Sequence, residues 1–440
     1  MQIALPENVK KIIEVLEAAG YEAFAVGGCV RDSVLGRVPA DWDITTSARP
    51  EQVKALFRRT IDTGIQHGTV TVMMDKEGYE VTTYRIDGEY TDGRHPDAVS
   101  FTADLTEDLK RRDFTINAMA YSDKQGLVDV FGGIEDLQQG IIRAVGNPAE
   151  RFEEDALRIM RAVRFAAQLG FQIDEETKKA AAALAENLRK VSAERIQVEL
   201  VKLLVSPYPG MLRTAWELGI TKVVLPEFDA MMETPQNNPH HNCNVGEHTL
   251  KALEFVDAEK VLRLAMLCHD FGKPQTRQEK DGIDHFYGHS KVSCDMAVDM
   301  MHRLKFDNDT LGKVKRLVLY HDMRPQADDR SVRRAVNKVG EELFAPLLQV
   351  MGADVLAQSE EGKMQKLMEL DKVHEIYEGI LARKECVSMK MLAVTGRDLI
   401  AAGMKPGKEL GAVLQAMLEH VIEYPQHNTK EYLIKTWLKE

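Results

Sequence analysis

Strand-forming runs are confined to the first third of this 440-residue chain. Up to about residue 137, YEAFAVGG, GTVTVMM, YEVTTYRI and LVDVFGG alternate with helical stretches such as PEQVKALFRR, the pattern of a mixed sheet packed against helices. From Ala149 onward strand signals nearly vanish. FEEDALRIMRAVRFAAQLGF and DEETKKAAAALAENLRKV carry helical periodicity, the second with an acidic first turn. PEFDAMMETPQNNPHHNCN reads as a Pro- and Asn-rich loop entering a further domain. A His-dense helical region follows, with eight of the 13 His between residues 240 and 321, and the stretch from Leu381 is helical around a Gly-broken link. The expected organisation is an α/β head (1–137), an all-helical neck (138–215), a helical body (216–380) and a helical tail (381–440).

Composition narrows the partners. A net charge of −12 excludes a uniformly basic nucleic-acid coat, yet residues 156 to 213 hold ten Lys/Arg against six Asp/Glu, a basic island that offers a confined track for RNA phosphate. The five Cys are scattered without CxxC spacing, which fits a reducing cytoplasm and argues against a disulfide framework or zinc ribbon. No apolar run approaches a membrane span, and the N-terminal MQIALPENVKKIIEVLEAAG reads as a capped helix rather than a signal peptide.

Within AVGGCVRDSVLGRVPADWDITTSA, Gly27 and Gly28 follow a strand and allow close backbone approach to phosphate, with Arg31 at the start of a helix. Asp41 and Asp43 stand one residue apart on an apparent strand, so their side chains share a face. Such a pair repels unless cations neutralise it, and hard oxygen ligands suit Mg²⁺ bridging a triphosphate. Glu80 in YEVTTYR can supply a third carboxylate. A DxD by itself is unspecific; the combination is not.

The order GGxxRD, DxD and RRDFTINAMA (Arg111, Arg112, Asp113, Phe114, Thr115, Ile116, Asn117 onward) resembles the polymerase-β-type nucleotidyltransferases, specifically bacterial CCA-adding enzymes and poly(A) polymerases. The resemblance implies a polymerase-β-like head in which Asp41 and Asp43 bind catalytic Mg²⁺ while Gly28, Arg31 and Arg112 hold the incoming nucleotide. It further implies CTP, ATP and tRNA as partners. TGIQHGTVTV, the flexible-loop segment DGEYTDGRHPDAVSF (87–101) and a tail with nine Lys/Arg against seven Asp/Glu resemble the CCA-adding branch. Poly(A) polymerase, and a hydrolase with a degenerate RNA-binding head, remain the alternatives.

ERFEEDALRIMRAVRF, read as one helix, places Asp155, Arg158 and Arg161 on one side. An ionised Asp only accepts and Arg only donates, so Asp155 and Arg158 match the amino donor and ring-nitrogen acceptor of cytosine or adenine. Guanine and uracil present the reverse order, leaving both charges unpaired at a cost of roughly 2 to 5 kcal/mol. The family's EDxxR motif corresponds to Glu154, Asp155 and Arg158, with Arg161 and Arg164 following at its spacing. Arg195 and Glu199 in SAERIQVEL are assigned a bracing role.

Six further residues recur at spacings that allow convergence from separate helices: His248, His269 and Asp270 in adjacent segments, then His289, His321 and Asp354. Imidazole and carboxylate ligands so placed suit Mg²⁺ or a divalent transition metal such as Mn²⁺, Ni²⁺ or Co²⁺, with Asp270 able to bridge two ions. The set resembles the HD phosphohydrolase superfamily, which implies that Lys273 faces substrate phosphate and that the body hydrolyses phosphoesters. His240, His241, His285 and His302 fall outside this pattern and are expected at the surface. The oligomeric state is not encoded in any motif.

Overall fold

A computed structural model describes residues 2–87, 99–238 and 243–438. The chain divides into two compact units, residues 1–226 and 227–440. Helix α1 (Glu7–Ala18) opens the first unit behind Pro6, with no side-chain cap bond, and buries Val9, Ile12, Ile13 and Leu16. The expected capped start is thus a proline-led one.

The head is a seven-stranded mixed sheet. Its strands are β1 (Ala23–Val26), β2 (Ile44–Thr46), β3 (Thr60–Gly64), β4 (Thr69–Met74) and β5 (Glu77–Thr83). After the separate antiparallel pair β6 (Arg85–Asp87) and β7 (Val99–Phe101), the sheet is completed by β8 (Met119–Ser122) and β9 (Gly126–Asp129) in the order β3-β4-β5-β2-β1-β8-β9. β4 and β5 meet at a two-residue turn, where Asp75 and Lys76 take φ of +48° and +72°, the left-handed pair a tight hairpin demands. β2 and β5 are parallel with Ile44 opposite Val81, which brings the residues just before them, Asp43 and Glu80, side by side.

Five helices flank or follow the sheet: α2 (Gly28–Val34), α3 (Pro50–Leu56), α4 (Leu105–Lys110), α5 (Gly133–Gln139) and α6 (Pro148–Glu154). The chain then turns at Asp155 (φ −143°, ψ 101°) before α7 (Leu157–Leu169), so the single helix expected through this stretch is two. The Asp155 side chain accepts a hydrogen bond from the Leu157 N–H at 3.1 Å, a local turn ahead of the second helix that no glycine or proline announces. Eleven of the 13 residues of α7 are buried; α9 (Ala193–Leu204) packs along it, while α8 (Glu175–Leu184) packs against α6. Short helices α10 (Leu212–Glu217) and α11 (Ile220–Val224) lead to α12 (Pro226–Met232). PEFDAMM was expected as loop; proline at its first position starts a helix instead.

The second unit is helical apart from one small hairpin. It comprises α13 (Val245–Phe255), α14 (Lys260–Cys268), α15 (Lys273–Thr276), the hairpin β10 (Gln278–Lys280) and β11 (Ile283–His285), α16 (His289–Arg303) and α17 (Asn308–Tyr320). α18 (Asp329–Val339), α19 (Glu341–Ala357) and α20 (Lys363–Ala382) complete the body. The tail α21 (Gly396–Ala401), α22 (Lys408–Glu423) and α23 (Lys430–Trp437) encloses its own core of Leu399, Met417, Leu418, Val421 and Leu433. Asn428 closes it, donating to the Met391 carbonyl and accepting from the Ala393 N–H. Among the described residues no helix is long and apolar enough to cross a membrane, and all five Cys are free thiols.

Candidate functional site

Asp41 and Asp43 lie in the extended lead-in to β2, not on the strand itself. With Glu80 on β5 they line a cavity of about 750 Å³ closed by Trp42, Tyr79 and Pro6. Burial pushes the Asp43 carboxyl up against the pull of Arg112, and the Asp41 charge pushes it further. Glu80 is raised by burial and then by Asp43 and Asp41. Asp43 and Glu80, pushed up by burial and by neighbouring charge, make with Asp41 an anionic cluster whose donors are the hard oxygens Mg²⁺ prefers. The residues present therefore fit divalent cations.

The glycine turn beside them is set by Gly27 more than by Gly28. Gly27 takes φ +82°, and a Cβ there would sit 2.9 Å from Arg112 Nη1, whereas one at Gly28 meets only ordinary contact with Arg31. Arg112 thus lies against the turn, just past the end of α4. Fully buried Asp108 stands behind it, 3.7 Å from Arg112 Nη2, and accepts from Arg111 at 2.7 and 3.0 Å and from the Thr45 hydroxyl at 3.0 Å. Burial drives the Asp108 carboxyl up, but Arg111 and Arg112 outweigh it and hold it below its ordinary value. Arg31 chelates Asp32 at 2.8 and 3.0 Å and donates to Asn117 Oδ1 at 2.8 Å.

On the neck side the pairing differs from the expected one-sided array. Arg158 donates to Glu154 at 2.6 Å, to the Arg151 carbonyl at 3.0 Å and to the Arg111 carbonyl at 2.9 Å. Asp155 accepts from Arg195 at 2.6 Å. The turn between α6 and α7 sends the two side chains to different partners, Asp155 to Arg195 and Arg158 back to Glu154. Arg161 grips Asp113 through two bonds at 2.6 and 2.8 Å, and Arg164 bonds Glu199 at 2.8 Å with its guanidinium 3.6 Å from the Phe165 ring. The Arg164–Glu199 bond ties α7 to α9, and Arg195 ties α9 to the turn at Asp155, as bracing requires. At least seven of the ten cations of the basic island (Arg158, Arg161, Arg164, Lys178, Lys179, Arg189 and Arg195) are ion-paired within the unit, so the island is not the open phosphate track its composition suggests.

In the second unit the six residues singled out by spacing do converge. His248 Nε2 lies 2.8 Å from Asp354, His269 Nε2 lies 3.1 Å from Asp270, and His289 Nε2 lies 3.1 Å from His321 Nε2. They form two groups, His248–His269–Asp354 and Asp270–His289–His321, whose ligand atoms lie within 4.8 Å of one another. The Nδ1 atoms of His269, His289 and His321 sit 2.7 to 2.8 Å from the Met266, Phe286 and Val318 carbonyls, so each must carry the proton there and turn a lone pair inward. Two such lone pairs 3.1 Å apart, beside the buried Asp270 Oδ1 that has no hydrogen-bond partner, call for a cation. This donor set fits a divalent metal. Burial, then the charge of His269, lowers the His321 pKa to about 3. Burial pushes the Asp354 carboxyl up, but the bond and charge of His248 hold it far below the usual range.

Lys273 places its ammonium 2.7 Å from Asp270 and 2.8 Å from Gln236 while lining the cavity of about 340 Å³ in front of the cluster. His285, expected at the surface, is half-buried on the hairpin and lines the same cavity beside Tyr287. His302 is exposed as expected, while His240, His241 and residues 88–98 of the loop segment lie outside the described residues. Spacing missed Asp108 in the first unit and Arg324 in the second cavity, and named Asn117 and Glu154 as motif members without giving them partners. Asp108 stands just before the RRDFTINAMA motif, and that adjacency was the available signal.

Comparisons with known proteins span nearly the whole chain. The model of the Poly A polymerase head domain matches residues 23–143, that of the RNA and SrmB-binding site of polymerase A matches 170–232, and that of tRNA nucleotidyltransferase domain 2 matches 275–437. The CCA-adding enzyme of Levilactobacillus brevis is 36% identical over 97% of this chain and 96% of its own. That of Lactiplantibacillus plantarum is 56% identical over 47% of this chain and 52% of its own. The crystal structure of the Bacillus stearothermophilus CCA-adding enzyme in complex with CTP superposes with a TM-score of 0.69 at 29% identity, covering 97% of this chain and 96% of that one. The head sheet with its three carboxylates, the arginine-bearing helix α7 and a likeness that runs nearly end to end have one common explanation: the chain belongs to the family of CCA-adding enzymes.

Proposed function

We propose that the protein is a tRNA nucleotidyltransferase that adds C, C and A to the tRNA 3′ end from CTP and ATP. The observation that carries this reading is the convergence of Asp41, Asp43 and Glu80 beside the Gly27 turn and Arg112. Divalent cations bound by those carboxylates supply two things there, a lowered pKa for the attacking 3′-hydroxyl and charge neutralisation on the leaving pyrophosphate. Arg112 and Arg31, with Gly28 at the turn, orient the triphosphate so that the hydroxyl meets the α-phosphate in line. Asp155 and Arg158 read the base: Arg158 spends three of its five N–H groups on protein acceptors and keeps two, and each Asp155 oxygen retains a lone pair. Arg161 and Arg164 support them from their own carboxylates. Asp43→Ala should lower incorporation into truncated tRNA by about a thousandfold or more. Incorporation at the wild-type rate would refute the role. Runs of A on arbitrary RNA would instead mark a poly(A) polymerase.

A second activity rests on a separate observation, the six-residue cluster of the helical unit. We infer an HD-type phosphohydrolase or phosphodiesterase in which His248, His269, Asp270, His289, His321 and Asp354 hold a divalent metal and Lys273 contacts phosphate once it is drawn from Asp270. Wild-type protein should co-purify with metal and hydrolyse cyclic or terminal phosphoesters with Mn²⁺, Ni²⁺ or Co²⁺. Absence of both metal and hydrolysis would remove this reading without touching the first.

A further inference from the structure

A buried side chain that carries no role in the transfer chemistry links the two arginine systems of the head and neck. Asn117 is 6% exposed, in the short turn between Arg112 and β8. Its Oδ1 accepts from Arg31 Nη1 at 2.8 Å and its Nδ2 donates to Asp113 Oδ1 at 3.1 Å. The other Asp113 oxygen takes both bonds from Arg161. One arm ends on a cation that only donates and the other on an anion that only accepts, so the amide orientation is fixed and a primary amide fits both. Arg31 is further limited by its chelate to Asp32 and by the Phe165 ring, 5.1 Å from its guanidinium and 5.3 Å from that of Arg161. The path Arg31–Asn117–Asp113–Arg161 is therefore continuous from α2, at the glycine turn, to α7, which carries Arg158.

We propose that Asn117 is a positioning residue that sets the Arg31 guanidinium for the triphosphate by tying it to the Asp113–Arg161 pair. This rests on the nucleotidyl-transfer reading. Burial holds the network rigid, since removing the amide leaves Arg31 Nη1 and Asp113 short of a partner in a poorly hydrated place. Base selection, made by Asp155 and Arg158, does not pass through the amide.

The test is a double-mutant cycle on the full-length protein, read by CTP incorporation into tRNA lacking its CCA end and by inhibition with inorganic pyrophosphate. Asn117→Ala should raise KM for CTP, and the Ki of pyrophosphate with it, by about tenfold, what one charge-assisted hydrogen bond is worth. Preference for C and A over G and U should stay at the wild-type ratio. Arg31→Ala combined with Asn117→Ala should be no worse than Arg31→Ala alone, because the amide acts only through Arg31. Multiplicative losses, or lost base preference with unchanged pyrophosphate inhibition, would overturn the proposal by showing a merely structural role. Asn117→Ser, which shortens the side chain and keeps a hydroxyl, carries the same cycle if the alanine variant fails to fold. Wild-type protein that incorporates nothing would overturn the transfer reading itself, whereas normal transfer with an indifferent Asn117→Ala overturns only this inference.

Discussion

Four arginines of the first unit each stand on a carboxylate: Arg112 near Asp108, Arg158 on Glu154, Arg161 on Asp113 and Arg164 on Glu199. A guanidinium cannot shed its proton, so a buried one persists only where an anion and acceptors receive it. Motif spacing made the arginines legible but not all their anions. Arg161 and Asp113 are 48 residues apart, and only tertiary packing chooses such partners. Asp155 should be the residue on which base choice depends. Asp155→Ala is expected to erode discrimination against G and U by at least about tenfold, the lower end of a lost charged contact, in single-nucleotide incorporation assays; retained selectivity would refute its role. Asp113 gives a pH signature. Burial raises its carboxyl, but Arg161 and Asn117 outweigh this and hold it well below the ordinary 3.8. Its stabilisation is therefore complete at neutral pH and is lost as pH falls below about 4, where the unfolded chain takes up a proton that the folded chain refuses. Asp113→Asn should weaken the acid dependence of unfolding over that window, measured by urea titration at successive pH values.

At the scale of elements, the sheet and most helices are readable from alternation and periodicity because their buried faces repeat. The interruption between α6 and α7 is not, since α-type periodicity continues on both sides and the breaker is an aspartate whose side chain turns onto the Leu157 N–H. That turn is what lets Asp155 face Arg195 while Arg158 reaches back to Glu154. The pairing of α7 with α9 leans on the buried Arg164–Glu199 bond, whose partners are 7% and 5% exposed. Glu199→Gln leaves a buried guanidinium uncompensated, and should cost about 3 to 5 kcal/mol. The loss would register as a lower urea midpoint with an unchanged slope. A shift under about 1 kcal/mol would show that the brace is dispensable.

The whole molecule joins an α/β unit with a three-carboxylate site to a helical unit with a six-residue imidazole and carboxylate cluster. The charge of −12 conceals this, because the basic island is largely spent on internal pairs while the acidic clusters are left for cations. Metal removal should separate the units. In nucleotide-free protein, chelation is expected to lower the thermal midpoint of the transition belonging to the helical unit, since an ion at a hundred times its Kd adds about 2.7 kcal/mol, and to leave the other transition in place, because Asp41, Asp43 and Glu80 take their cations together with the triphosphate. The most direct measurement is extension of tRNA lacking its CCA end in a mixture of all four nucleoside triphosphates with Mg²⁺, resolved at single-nucleotide length and sequenced. The account requires three added residues, C, C and A, followed by a stop. Open-ended A tracts, or no extension at all, would contradict it.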